Sequence, residues 1–251
     1  MVVWIDGKQL IAEGDLVDDF HAIGLGGNDV LRVDFRLDLP STLDGGAGDD
    51  KLIGGSASDL LVGGDDLDRF FGNGGDDTMI GGAGPDQLFG AAGRDTADYS
   101  SSTTDLFVND FDDGSGFGRV SEGDTQDILG LDIERVLGGS GNDRFVGDER
   151  GNTFIGGAGN DLLVAKGGND ALLGGAGNDS IIAGSGDDFL EGGSGDDTMY
   201  GQEGNDNLQG QDGNDQLFAN DNRRDTVNGG ANSDIASADA LDVVTGVEIR
   251  A

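Results

Sequence analysis

The chain has no cysteine, two prolines and one histidine in 251 residues, and only 14 basic residues against 50 acidic ones. Without cysteine there is no disulfide framework, and no cysteine-based zinc pattern is possible. The net charge of -36 makes nucleic acid and anionic membranes poor partners and divalent cations good ones. No stretch approaches the length of a transmembrane helix. The N-terminal MVVWIDGKQL lacks the basic region and apolar run of a secretory signal, so none is expected. Catalytic signatures are missing as well. There is no His-Glu-x-x-His motif, no Gly-x-Ser-x-Gly elbow, no cysteine nucleophile and no phosphate loop. The chain is therefore expected not to be an enzyme, with no catalytic residue and no organic cofactor. A glycosidase-type carboxylate pair would need a cleft.

What the chain has is glycine and aspartate. Glycine occurs 50 times, and glutamate supplies seven of the 50 acids, the rest being aspartate. A merely solubilising surface would use both acids. The shorter arm suits turns and cation sites, where the carboxylate lies beside backbone. Both residues fall in a nine-residue repeat, Gly-Gly-x-Gly-x-Asp-x-apolar-x. It reads GGAGNDLLV from Gly156, GGAGNDSII from Gly174 and GGSGDDTMY from Gly192. Glycine permits a sharp turn. The last residues make a short strand with one inward apolar side chain, at position eight. One such residue per unit cannot bury itself alone, whereas stacked units can, which is how repeats of this kind build solenoids.

The repeats form two blocks. The first opens at Gly45 and has sixth-position residues Asp50, Asp59, Asp68, Asp77, Asp86 and Asp95. The second opens at Gly138, with Asp143, Asn152, Asp161, Asp170, Asp179, Asp188, Asp197, Asp206 and Asp215. An extra residue near Arg223 and Arg224 then shifts the frame, giving Asp225 and Asp234. A lone unit at Gly24 offers Asp29, and a weaker one at Gly14 offers Asp19. In that weaker frame His21 falls inward, in a packing role. Trp4 is expected to pack within an N-terminal hairpin. Between the blocks, residues 99–137 read as two or three strands, among them Leu106 to Val108, with a turn at 112–116. The C-terminal Asp242 to Glu248 resembles Asp127 to Glu134, so the chain reads as a roll-plus-cap unit used twice. The division expected is a hairpin with degenerate repeats at 1–44, a first roll block at 45–98, a strand-rich insert at 99–137, a second block at 138–237 and a capping strand at 238–251.

Over about two-thirds of its length, through these repeats, the chain resembles the repeat-in-toxin (RTX) calcium-binding family. The resemblance implies an all-β fold, a parallel β-roll or β-solenoid in two stacked blocks with an interrupting strand-rich insert. Two nonapeptides make one coil, so turns 18 residues apart share an edge. Calcium ions lie between stacked turns, held by sixth-position carboxylates and by backbone carbonyls. The metal ligands implied are Asp29, Asp50, Asp59, Asp68, Asp77, Asp86, Asp95, Asp143, Asp161, Asp170, Asp179, Asp188, Asp197, Asp206 and Asp215. The count expected is about ten ions. The acids at position five, such as Asp49, Asp76, Asp187 and Asp196, are expected to be solvated rather than ligating.

Electrostatics agree with that reading. Coils stack about 4.8 Å apart, and two carboxylates at that spacing repel by roughly 3.5 kcal/mol at an effective dielectric of about 20. Repeated along two edges, this exceeds the stability of a typical domain, about 5–15 kcal/mol. Folding is therefore expected to be linked to calcium. Extracellular calcium modules work near about 10⁻⁴–10⁻³ M, on which scale the chain stays loose inside the cell and folds outside; the resemblance implies export by a type I route. The expected function is a calcium-binding secreted module for folding and secretion or for structure. The alternative is a calcium-dependent carbohydrate-binding or adhesin module, whose polysaccharide or protein partner would meet an apolar outward face at Val146, Val164, Ile182, Tyr200 and Phe218. A part in a polysaccharide-acting enzyme ranks below both.

Overall fold

The computed structural model describes residues 2–5, 8–11, 20–34, 36, 38–109, 117–122 and 125–250. Among these every regular element is a β-strand, and most strands pair in parallel, as the all-β solenoid requires. The chain divides into two compact units, Met1–Tyr99 with Asp113–Val136, and Ser100–Asp112 with Leu137–Ala251.

The nonapeptide dictates each coil. Strands cover the last three residues of one repeat and the first three of the next, as in Ser180–Ser185 and Phe189–Ser194. The residues between them make the turn. Along Ser180–Ser185 burial alternates, with Ile181 inward and Ile182 half-exposed, because successive strand side chains point to opposite faces. Strands 18 residues apart pair in parallel. Leu163 lies opposite Ile181, and Met199 opposite Leu217. Eighth-position side chains thus stack rung on rung and meet those of the facing sheet.

In the first unit one sheet carries Leu52, Phe70 and Leu88 inward and the other Leu61, Met79 and Ala97, all fully buried. In the second unit Phe145, Leu163, Ile181, Met199 and Leu217 face Phe154, Leu172, Leu190 and Leu208. Phe145 and Phe154 meet edge to face, 5.5 Å between centroids. Each fully buried Leu or Phe contributes about 1.5–3 kcal/mol. The extra residue near Arg223 is absorbed by its turn. Leu208 pairs with Val227, so the register continues through Val227 and Ala236, both fully buried.

At the N-terminus, Val2–Ile5 and Lys8–Ile11 form the expected antiparallel hairpin, which also pairs antiparallel with Val30–Val33. The inward residue of Phe20–Ile23 is Ala22, whereas His21 is exposed. The frame read from Gly14 placed His21 inward. Pairing of Ala22 with Leu43 sets the parity instead, and a one-residue slip exchanges the two faces of a strand. The segment between the repeat blocks supplies strands to both units. Leu106–Asn109 pairs with Arg144–Val146. Thr125–Gly130 pairs in parallel with Gln87–Ala92 and antiparallel with Phe117–Glu122. The unit opening at Gly14 with Asp19, the turn at 112–116 and the packing of the Trp4 side chain lie outside the described residues.

Candidate metal rows along the turns

The sixth-position aspartates are buried and stacked. Asp68, Asp77, Asp86, Asp95, Asp161, Asp170, Asp179, Asp188, Asp197, Asp206 and Asp215 are at most 3% exposed. In each row one carboxylate oxygen braces the stack. Oδ1 accepts the backbone N–H of the aspartate one coil earlier, at 2.8 Å for Asp68 to Asp86, 2.9 Å for Asp77 to Asp95, and 2.8 Å for Asp161 to Asp179. The aspartate's own carbonyl accepts the N–H of the strand that follows in the next coil, as Ser180 donates to Asp161 at 2.8 Å. The backbone at the turn is thereby satisfied without water.

The other oxygen has no donor. Oδ2 of Asp68, Asp77, Asp86, Asp95, Asp161, Asp170, Asp179, Asp188, Asp197, Asp206 and Asp215 is buried with no hydrogen-bond partner. A buried acceptor left unmade costs about 1–3 kcal/mol, more when charged. The protonation equilibria carry that cost. Burial pushes the Asp77 carboxyl up to about 8, and the charges of Asp95, Asp59 and Asp76 add to the shift. Burial likewise raises Asp68, Asp161, Asp170, Asp197 and Asp206 to about 7, helped by carboxylates in neighbouring turns.

Glycine geometry produces the orphaned oxygen. In the turn ending at Asp179, Gly175 and Gly177 have φ of 114° and 128°, a region that strains other residues. A Cβ on Gly177 would run into the carbonyl oxygen of Gly159 in the coil before, so carbonyl oxygens also line the edge. Where position two is not glycine, the same rotation survives at Asn73, Ala91, Lys166, Gln202 and Gln211, with φ between 71° and 84°.

Three motif turns differ. Asp59 Oδ2 accepts the N–H of Gly55 in its own turn at 2.6 Å, and its Oδ1 accepts both N–H and hydroxyl of Ser41. Asp143 Oδ2 accepts the N–H of Gly139 at 3.1 Å. Asn152 Oδ1 accepts the N–H of Asp148 at 3.2 Å. None of these turns has a positive φ at its second or fourth residue. Of the remaining expected ligands, Asp29 and Asp50 are buried and stacked, Asp50 Oδ1 accepting from Asp29 at 2.7 Å. Asp188 and Asp206 stack on Asp170 and Asp188 in the same way.

The rows also extend past the residues expected. Asp225 and Asp234 accept from Asp206 and Asp215, at 2.7 and 2.9 Å, and their Oδ2 atoms are buried without a partner. Arg223 leaves Asp225 in its row and lies towards Asp187, whose carboxyl sits below its usual range through hydrogen bonds from Asn205 and the nearby guanidinium. The position-five side chains, expected to be solvated, are hydrogen-bonded to backbone instead. They accept N–H groups in the opposite direction to the sixth, from the coil that follows, as Asn178 does from Asp196 at 2.8 Å and Asp196 from Asn214 at 2.9 Å.

Each row ends in a residue that closes it. Asp127 accepts from Asp86 at 2.9 Å while the buried Tyr99 hydroxyl donates to its Oδ2 at 2.7 Å. Asp242 accepts from Asp225 with one oxygen and from Asp239 with the other. On the second edge of each unit a glutamate takes the place of the aspartate. Glu134 accepts from Asp95 at 2.9 Å and Glu248 from Asp234 at 2.6 Å. The interval from one acceptor to the next is seven residues from Asp127 to Glu134 and six from Asp242 to Glu248, against nine in the motif. The likeness between Asp127 to Glu134 and Asp242 to Glu248 is thus a likeness of hydrogen bonding.

Among the described residues no three acidic, histidine or cysteine side chains converge closely enough to hold a metal by themselves. The donors offered are anionic carboxylate oxygens, one row per edge, beside backbone carbonyls. An all-oxygen, irregular, partly carbonyl set fits calcium, which takes six to eight such ligands, and fits magnesium poorly, since that ion demands an octahedron and keeps its water. Bound calcium would neutralise the rows.

A parallel β-solenoid whose turns present stacked, donor-poor carboxylates is a cation-binding repeat fold. The chain matches the RTX calcium-binding nonapeptide repeat over residues 41–70, 62–97, 137–172, 165–199, 173–208, 191–223 and 200–236. It belongs to that family of calcium-binding structural repeats. No curated protein matches it.

Proposed function

We propose that this chain is a calcium-driven folding module of a secreted protein, loose where calcium is scarce and closed into its roll outside the cell. The observation that carries this reading is the row of buried aspartate oxygens without donors, which a metal cation can satisfy along the whole edge at neutral pH. The residues assigned as ligands are Asp68, Asp77, Asp86, Asp95, Asp161, Asp170, Asp179, Asp188, Asp197, Asp206 and Asp215, with Asp29 and Asp50 in the same rows and Asp225 and Asp234 added at the end. Repeats of this family are typical of secreted proteins, and affinities of about 10⁻⁴–10⁻³ M would place folding at the export step. The role is structural, not enzymatic. Acids committed to a row of cation ligands make poor proton donors.

A carbohydrate-binding role is weaker on chemical grounds. On the outward strip of the second unit Tyr200 and Phe218 stack on each other, 4.6 Å between centroids at 7°. Each ring gives one face to that contact, so the strip offers a sugar less open aromatic surface than two separate rings would. Isothermal titration of the metal-free chain tests the main reading. Several calcium equivalents should bind near millimolar concentration and magnesium should not compete at equal concentration. Equal binding of both ions, or of neither, would sink it.

A further inference from the structure

The three self-capped turns separate motif from function. By sequence, the turn ending at Asp143 is a full match, GGSGND, whereas that ending at Asp170 reads AKGGND, lacking both leading glycines. The geometry ranks them the other way. Lys166 and Gly168 have φ of 84° and 103°, and Asp170 Oδ2 is buried without a donor. In the Asp143 turn neither Gly139 nor Gly141 has positive φ, and Gly139 donates its N–H to the carboxylate. Asp59 repeats the closed arrangement, its carboxylate accepting three protein hydrogen bonds.

The neighbours explain the difference. Interior turns stack on another motif turn on both sides. The Asp143 turn rests instead on the loop at 102–105. Ser140 donates to the Ser102 carbonyl at 2.9 Å, Leu106 donates to Asp143 Oδ1 at 2.9 Å, and Asn142 donates to Asp105 at 2.7 Å. The Asp59 turn rests on Ser41. Each stands at the start of its row. Position alone does not decide this, since the Asp29 turn also opens its row and has φ of 79° at Leu25 and 106° at Gly27; it is the contact beneath the turn, the loop at 102–105 or Ser41, that leaves the second N–H on the carboxylate.

We infer that Asp59 and Asp143 ligate no ion although they carry the motif aspartate, and that these first turns are fixed by protein hydrogen bonds while the turns after them depend on metal. The inference rests on the calcium reading and sorts its ligands by turn conformation rather than by sequence match. A carboxylate oxygen already held by a backbone N–H would have to break that charge-assisted bond to enter a coordination sphere.

The test compares the full-length chain with Asp59→Asn, Asp143→Asn, Asp170→Asn and Asp179→Asn. Asparagine keeps the Oδ1 acceptor, so the stack is preserved. Circular dichroism in saturating calcium checks each variant. Bound calcium per chain is counted by equilibrium dialysis. Asp170→Asn and Asp179→Asn should each bind fewer ions than the parent, while Asp59→Asn and Asp143→Asn bind the same number. A reduced count for Asp143→Asn or Asp59→Asn, or an unchanged one for Asp170→Asn, overturns the inference. If the parent chain bound no calcium, the calcium reading itself would fail, a result distinct from either. Crystals grown in calcium give an answer without substitution. Asp143 Oδ2 should remain on the Gly139 N–H, outside the roughly 2.3–2.6 Å reach of any calcium ion. An ion within that distance contradicts the inference.

Discussion

The carboxylate of Asp197 reaches back one coil to accept the backbone N–H of Asp179 at 2.8 Å, while its second oxygen is buried with no donor. One side chain therefore does two separable jobs. Oδ1 holds the coils in register, and Oδ2 is the oxygen proposed to take a cation. Asp197→Asn should keep the first and lose the second, needing severalfold more calcium to fold with little change in the folded spectrum. Asp197→Ala should lose both and destabilise the calcium-loaded roll by a further 1–3 kcal/mol or so, because the Asp179 N–H is left buried and unpaired. Thermal unfolding at fixed calcium separates the two, and equal effects would refute the division of labour.

Acidity should act in opposite directions with and without metal. The folded-state carboxyl of Asp77 lies at about 8 and those of Asp68, Asp161 and Asp197 at about 7, against about 3.9 for an unfolded aspartate. The folded state thus binds more protons than the unfolded one between these limits. Stability from these groups is complete below about pH 4 and lost as pH rises towards 8. The metal-free chain should be more ordered near about pH 5 than near pH 8. Calcium affinity should rise over the same window, since protons and calcium compete for the same oxygens. Far-UV circular dichroism of the metal-free chain at both values is the check. More order at the higher pH would show that the rows are not buried as described.

Gly177 has φ of 128°, and a Cβ there would strike the Gly159 carbonyl. Gly177→Val should cost at least about 3 kcal/mol through backbone strain and that collision. Ala176→Ser, one residue away and exposed, should be nearly neutral. The midpoints of thermal unfolding in saturating calcium decide it. Equal midpoints would mean that the fourth-position glycine is not a steric requirement.

Much of this was legible in the residues. Period nine, the aspartate at six and the apolar residue at eight follow from the sequence, because turn chemistry and strand parity are local. What was not legible depends on the neighbouring coil. Asp143 sits in a full motif, yet its turn is closed by the loop beneath it. Asn178 looks like a solvated turn residue, yet it caps the N–H of Asp196. His21 is exposed because Ala22 pairs with Leu43. Asp225 and Asp234 stay in their rows because a single extra residue can be taken up in a turn without moving the strand after it.

Glu248 holds the N–H of Asp234 at 2.6 Å. Glu248→Ala should fray the last coil, losing about 1 kcal/mol or more. Hydrogen exchange should then quicken along Ile235–Ala238 and leave Ser180–Ser185 unchanged. Uniform quickening along the second unit would mean that the residue supports the whole roll, and no change would mean that the cap is dispensable.

The most direct test of the account is the compactness of the full chain as calcium is added after complete removal of metal, read as hydrodynamic radius together with far-UV circular dichroism, with magnesium in parallel. The account predicts an expanded, largely unordered chain that contracts cooperatively into a β-rich form near millimolar calcium and stays expanded in magnesium. A chain already compact and β-rich without metal at about pH 8 would show that the aspartate rows are tolerated bare, and calcium would no longer be the ligand that folds this protein.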